Sequence, residues 1–140
     1  MRVLCVARHL ILSEHLSRFF ERFDVAAAPV VGMRQARTTI SSYDPDLVLC
    51  DYDLLTPTQL ALWRADPSAS GVPIVALSMS KRLNEIVPID ARGVYGFLYL
   101  PTLDPATVRT LFASLRRQRD GVAMPKRVSW PGTTPAVRHR

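Results

Sequence analysis

The sequence predicts one α/β domain on a doubly wound, five-stranded parallel sheet of order 2-1-3-4-5, and three observations carry that prediction. Short runs of Val, Leu and Ile alternate with longer amphipathic stretches, as strands joined by crossover helices do. The runs are apolar almost without interruption, which suits strands covered on both faces. The second run contains Pro29, which has no N–H for a ladder and is tolerated at a sheet edge, where the second strand of this order lies.

Each element follows in turn. The first strand is predicted over residues 3–7. Leu12, Leu16, Phe19, Phe20 and Phe23 then fall at helical spacing and give a first helix its core-facing stripe. A second strand over 25–31 and a short helix over 33–42 follow. The third strand, 47–51, ends on Asp51, which places a carboxylate at the carboxyl end of a buried strand, where open α/β sheets bind their ligands. A helix over 58–65 leads to the fourth strand, 74–78. The next helix, 81–92, contains Pro88, which removes a hydrogen bond and shortens or kinks it. After the fifth strand, 94–100, Asp104 caps a last helix with Pro105 at its first position and Val108, Leu111, Phe112 and Leu115 on its apolar face. The domain is therefore assigned to residues 1–119. Gly121, Pro125, Pro131, Gly132 and Pro135 mark 120–140 as an irregular basic extension, too short for a second domain.

Composition narrows the function. The chain has 140 residues, 48% hydrophobic and 21% charged, which is ordinary for a soluble globular protein. No apolar run approaches the roughly 18 residues of a membrane span, and the apolar start is interrupted at Arg8, so a cytoplasmic location without a signal peptide is expected. The net charge of +6 resides in the extension: residues 1–115 hold eleven basic and eleven acidic side chains, whereas 116–140 hold seven basic and one acidic. Arg116, Arg117, Arg119, Lys126, Arg127, Arg138 and Arg140, with Trp130 among them, form the part suited to a polyanion, so nucleic-acid contact is confined to this tail. Cys5 and Cys50 sit in apolar strand-like runs and read as reduced core thiols rather than disulfide or metal ligands. A glycine-rich phosphate loop and a Cys-His-acid pattern are both missing, so no enzymatic turnover is expected.

Three stretches carry a resemblance: Tyr43-Asp44-Pro45-Asp46-Leu47-Val48-Leu49-Cys50-Asp51, Pro73-Ile74-Val75-Ala76-Leu77-Ser78, and Ala91-Arg92-Gly93-Val94-Tyr95-Gly96-Phe97-Leu98-Tyr99-Leu100-Pro101. Over residues 2–119 the chain resembles the receiver domain of two-component response regulators, a flavodoxin-like fold. The resemblance implies that Asp51 holds the phospho-acceptor position. In that family, two acids after the first strand, the acceptor Asp and a backbone carbonyl two residues beyond it hold Mg²⁺, while a Lys and a Ser or Thr bind the phosphoryl oxygens. Here the acid pair falls on Ala7 and Arg8, and the Lys on Leu100. Mg²⁺ demands oxygen ligands, and an acyl phosphate without metal or Lys has little to offset its charge. The expectation is an atypical, degenerate receiver-like signalling module that acts by protein–protein interaction, without conventional Mg²⁺-dependent phosphorylation, metal or other cofactor. Two alternatives accompany it: a working phospho-acceptor at Asp51, and a small-molecule sensor using the altered pocket near Ala7, Asp51 and Leu100.

The remaining site residues follow from the same resemblance. Ser78 and Phe97 match the family's switch pair of hydroxyl and aromatic ring. The surface of the 81–92 helix, the fifth strand and the last helix is the one receivers use to meet partners, and it carries Tyr95 and Tyr99; it implies a protein partner such as a kinase or output regulator, or a homodimer. Asp53 falls where the family supplies a carbonyl and reads as a solvated loop charge. Two placements are open to Arg8: its guanidinium reaches Asp51 and replaces the ion with a fixed charge, or it points to solvent and leaves Asp51 as a remnant or a cap. His9 reads as a capping or surface residue at the strand-to-helix turn, and His15 as an exposed helix residue.

Overall fold

A computed structural model describes residues 1–80 and 94–119, so the predicted 81–92 helix and the 120–140 extension lie outside the described residues. Five strands form one sheet: β1 (Arg2–Ala7), β2 (Ala26–Val31), β3 (Leu47–Asp51), β4 (Ile74–Ser78) and β5 (Val94–Tyr99). Their order is β2-β1-β3-β4-β5, with every pairing parallel, the predicted doubly wound arrangement. Four described helices cover it: α1 (Leu10–Glu21), α2 (Gly32–Tyr43), α3 (Pro57–Ala65) and α4 (Pro105–Arg119). None of the described helices is long and apolar enough to cross a membrane.

Strand alternation divides the core into two layers. Val3, Cys5, Ala7, Leu47, Leu49, Val75 and Leu77 pack with α1 and α4, while Leu4, Val6, Val48, Cys50, Ile74 and Ala76 pack with α2 and α3. All five residues of β3 are buried, as are all five of β4, so both read in the sequence as unbroken apolar runs. Each fully buried Leu, Val or Phe contributes about 1.5–3 kcal/mol of transfer free energy, so these layers are the main source of stability. At the edge, β2 keeps Pro29 exposed opposite Cys5 of β1, where its missing N–H costs nothing.

Local chemistry sets the ends of the helices. Asp104 Oδ1 accepts from the Ala106 amide at 3.0 Å ahead of Pro105, the predicted cap of α4. Thr56 Oγ1 accepts from the Gln59 amide at 3.2 Å and Pro57 opens α3. Nothing separates β2 from α2, and Gly32 makes the turn at φ +79°, a conformation that suits glycine.

In two places the structure departs from the sequence pattern. On α1 the predicted Leu16 and Phe20 are buried and Leu12 and Phe19 partly buried, Phe23 lies partly buried just past the helix end, and the innermost line of α1 also includes Ser13 and Ser17. Their hydroxyls donate back to the Leu10 and Ser13 carbonyls at 2.9 Å each, so small polar side chains lie against β1 with their hydrogen bonds satisfied within the helix. On β5, Val94 pairs with Ile74 but Gly96 pairs with Val75, and this bulge inserts Tyr95 as an extra residue. The strand ends at Tyr99, one residue earlier than predicted, because Leu100 begins a 3-10 turn that runs to Thr102.

Candidate functional site

Three chain segments meet at the carboxyl end of the sheet. β1 stops at Ala7, which is fully buried, and the next residue, Arg8, leaves the sheet before α1 begins. β3 delivers Asp51, only 2% exposed, and the chain then turns through a 3-10 segment, Tyr52–Leu54. A buried carboxylate needs partners for both oxygens. Asp51 has them: Arg8 Nε donates to Oδ2 at 2.8 Å, and the Asp53 amide donates to Oδ1 at 3.1 Å.

Arg8 is shared. Its Nη1 lies 3.2 Å from Asp53 Oδ2, so one guanidinium bridges the two carboxylates. The Asp51 side chain is 3% exposed, whereas those of Arg8 and Asp53 are 47% and 42% exposed. The trio thus has a dry end at Asp51 and a wet end at Asp53. Of the two placements open to Arg8 in the sequence, the structure has the one that reaches Asp51. Asp53 is a solvated loop charge, its side chain 42% exposed, and the 3-10 turn also folds its carboxylate back onto Arg8. The local signal was present: an Asp accepting from the amide two residues on is a common turn device, and Asp51-Tyr52-Asp53 has that spacing.

The other predicted residues do not join the trio's hydrogen bonds. Leu100 is partly buried and packs into the α1/α4 layer. Ser78 ends β4 in register with Tyr99 and is 4% exposed. Phe97, 7% exposed, belongs to the α2/α3 layer and meets the Tyr52 ring edge-on with centroids 6.2 Å apart. Burial and the nearby Asp53 carboxylate both push the Tyr52 phenol up from its ordinary value. Tyr52 is thus a site neighbour that the sequence reading passed over. Because of the bulge in β5, Tyr95 packs against the α1/α4 layer and Tyr99 against the α2/α3 layer, so the two partly buried rings lie on opposite faces of the strand. His9 precedes α1 as an exposed residue whose side chain makes no cap hydrogen bond, and His15 is exposed. Among the described residues, no group of three His, Cys, Asp or Glu side chains converges as a metal site would require.

No protein-family model matches the sequence, and no curated protein matches it. Solved structures do match. The N-terminal domain of a response regulator/sensory box/GGDEF three-domain protein from Carboxydothermus hydrogenoformans superposes with TM-score 0.66 at 17% identity, over 88% of this chain and all of that one. The fold is that of a response-regulator receiver domain. A CheY-like receiver domain from Methylobacillus flagellatus gives TM-score 0.66 at 21% identity, over 82% of this chain and 98% of that one. A receiver protein from Pseudomonas putida gives 0.63 at 22%, over 80% and 94%. That fold accounts for the sheet order β2-β1-β3-β4-β5.

Proposed function

We propose that the chain is an atypical receiver-like signalling module that acts through protein–protein contacts, with Asp51 held by Arg8 rather than phosphorylated with the help of Mg²⁺. The observation that carries this reading is the state of the Asp51 carboxylate, with both oxygens engaged and one of them bonded to a fixed cation at 2.8 Å. A phospho-acceptor needs one carboxylate oxygen free to attack and a cation able to bridge it to the incoming phosphoryl group. A guanidinium cannot be shared in that way, since it coordinates through hydrogen-bond donors and offers no exchangeable coordination site.

A divalent cation does not fit this donor set. The position next to Asp51 that would supply a second carboxylate supplies the Arg8 guanidinium, and Ala7 supplies a methyl group. Mg²⁺ binds through oxygens in a near-octahedral shell, and a neighbouring positive charge opposes it. On the phosphoryl side, Leu100 contributes its side chain to the core and no cation. No enzymatic turnover is part of the reading. The partner is a protein, a kinase or an output regulator, met at the β5 edge that carries Tyr95 and Tyr99, and the same edge is the place for a homodimer.

The test is chemical. The full chain is incubated with acetyl phosphate and Mg²⁺, and its intact mass is recorded with and without hydroxylamine, which cleaves acyl phosphates. The expected result is an unchanged mass. A hydroxylamine-sensitive gain of one phosphoryl group, lost in Asp51→Asn, overturns the reading in favour of a working phospho-acceptor.

A further inference from the structure

The sheet has a second polar locus, at the end opposite Asp51. There Asp44, Asp46, Val72, Pro73 and Leu115 line a groove of about 340 Å³. That volume lies near the lower limit of small-ligand pockets, about 300–1,000 Å³, so it holds one or two side chains rather than a folded partner. Its lining is two carboxylates against a wall of Val, Pro and Leu, a combination suited to a long cationic side chain that buries its stem and presents its charge. Arg2 already reads this region in that way, with its guanidinium 3.2 Å from Asp44 Oδ2 and its amide donating to Asp46 Oδ2 at 2.8 Å.

The chain leaves the described fold beside this groove. Leu115 of α4 is part of the lining, and α4 continues to Arg119, four residues or about 6 Å of helix further. Residues 116–140 hold seven basic side chains and one acidic one, the entire net charge of the protein. Lys126 and Arg127 follow Arg119 within seven and eight residues, a reach of up to about 25 and 29 Å of extended chain. Position, length and charge all match the groove to this segment. We infer that the groove is the docking site of the molecule's own basic extension, with Lys126 and Arg127 as the side chains it receives.

Tethering makes a shallow groove sufficient. A segment joined to the fold by a few residues meets its site at an effective concentration in the mM range, so contacts too weak to hold a separate peptide hold a covalently attached one. The docking is electrostatic and weakens with salt, because the Debye length falls from about 8 Å at physiological ionic strength to about 3 Å at 1 M. It also lies at the far end of the strands from Asp51, so it stands or falls independently of how that site works.

A nitroxide on Ser129→Cys in the isotope-labelled full chain reads the docking directly. Cys5 and Cys50 are fully buried and stay out of reach of the label. The expected result is loss of amide intensity at Asp46, Gly71 and Val72 in low salt, with the Asp51 end unaffected. The loss is reversed in 1 M NaCl and abolished by combining Lys126→Glu with Arg127→Glu. Groove amides that keep their intensity overturn the inference. So does a loss that survives the double charge reversal, or one that appears equally on mixing spin-labelled molecules with separately isotope-labelled ones.

Discussion

Replacing Arg8 by Met tests the central contact, because Met keeps the length and apolar stem of the side chain and removes only the guanidinium. The size of the effect follows from where the two ends of the pair sit. Truncating one partner of a fully buried ion pair costs about 3–5 kcal/mol, whereas a fully exposed pair contributes about 0–1 kcal/mol. Here Asp51 is 3% exposed and Arg8 47%, so the pair falls between these limits. The hydrogen bond lost is charge-assisted and 2.8 Å long, a class that contributes about 1.5–3 kcal/mol. Arg8 is half open to solvent, so water reaches Oδ2 once the guanidinium is gone and offsets part of the loss. Arg8→Met should therefore destabilise the fold by about 1.5–2 kcal/mol, or about 6–8 °C in Tm for a domain of this size. Urea unfolding should show a lower midpoint at unchanged m. Asp51→Asn in the Arg8→Met background should restore stability, because it removes the buried charge that the first substitution leaves uncompensated. A change below about 0.5 kcal/mol in Arg8→Met, or a double-mutant coupling below about 0.3 kcal/mol, would refute the assignment of Arg8 as the partner that makes Asp51 tolerable in the core.

Three further outcomes are expected. Arg8→Asp places a third carboxylate beside Asp51 and Asp53, so Mn²⁺ should broaden the amide signals of residues 51–53 in that variant and leave them sharp in the native protein; equal broadening in both would contradict the view that the guanidinium stands in for a cation. Burial pushes the Cys5 thiol up from 9.0 to about 12, so the folded protein keeps a proton that the unfolded chain loses above about pH 9. Stability from this group is complete below pH 9 and falls by up to about 1.4 kcal/mol per pH unit as the pH rises towards 12; Cys5→Ala should flatten that slope in alkaline urea titrations, while Cys50, also raised by burial, keeps its own share. Ser17→Leu forces extra, branched side-chain volume into the interface of α1 and β1, where Ser17 is 5% exposed, and should cost about 1–3 kcal/mol by thermal unfolding. A neutral result there would mean that α1 is free to move off the sheet.

How much of this was legible in the sequence depends on whether the information is local. β3 and β4 were predicted to the residue, because burial on both faces leaves an apolar run with sharp polar ends. The α4 cap was equally clear, since Asp104 and Pro105 act on their own helix. The bulge of β5 was not, for it exists only in the pairing with β4, and no residue of 94–99 announces it. Ser13 and Ser17 do not show in apolar periodicity, because a helix packed close to a strand selects small side chains, whatever their polarity. At the site, the end of an apolar run marked Asp51 and the resemblance to receivers marked Arg8, but both left two directions open to the guanidinium. The choice is made by the 3-10 turn after β3, which brings the Asp53 carboxylate round to hold the other side of Arg8, a contact between residues far apart in the chain.

That arrangement bears on how such a module would be controlled. A bound metal ion and a phosphoryl group are ligands, and their occupancy, hence the populations of any two states that they distinguish, follows their concentration. A guanidinium attached to the chain has no concentration to vary. On the proposed reading, Arg8 therefore holds the Asp51 end of the sheet in one state, and a phosphodonor gains no differential contact through which to shift it. Control then has to come from surfaces that partners touch. On that reading the surface is the β5 edge, where the bulge turns Tyr95 and Tyr99 towards different layers. Asp51 is held by Arg8 and the Asp53 amide, so substitutions at Tyr95 and Tyr99 that disturb partner binding should leave the Arg8–Asp51 contact intact. Arg8→Met, conversely, should lower stability without changing which partners are captured.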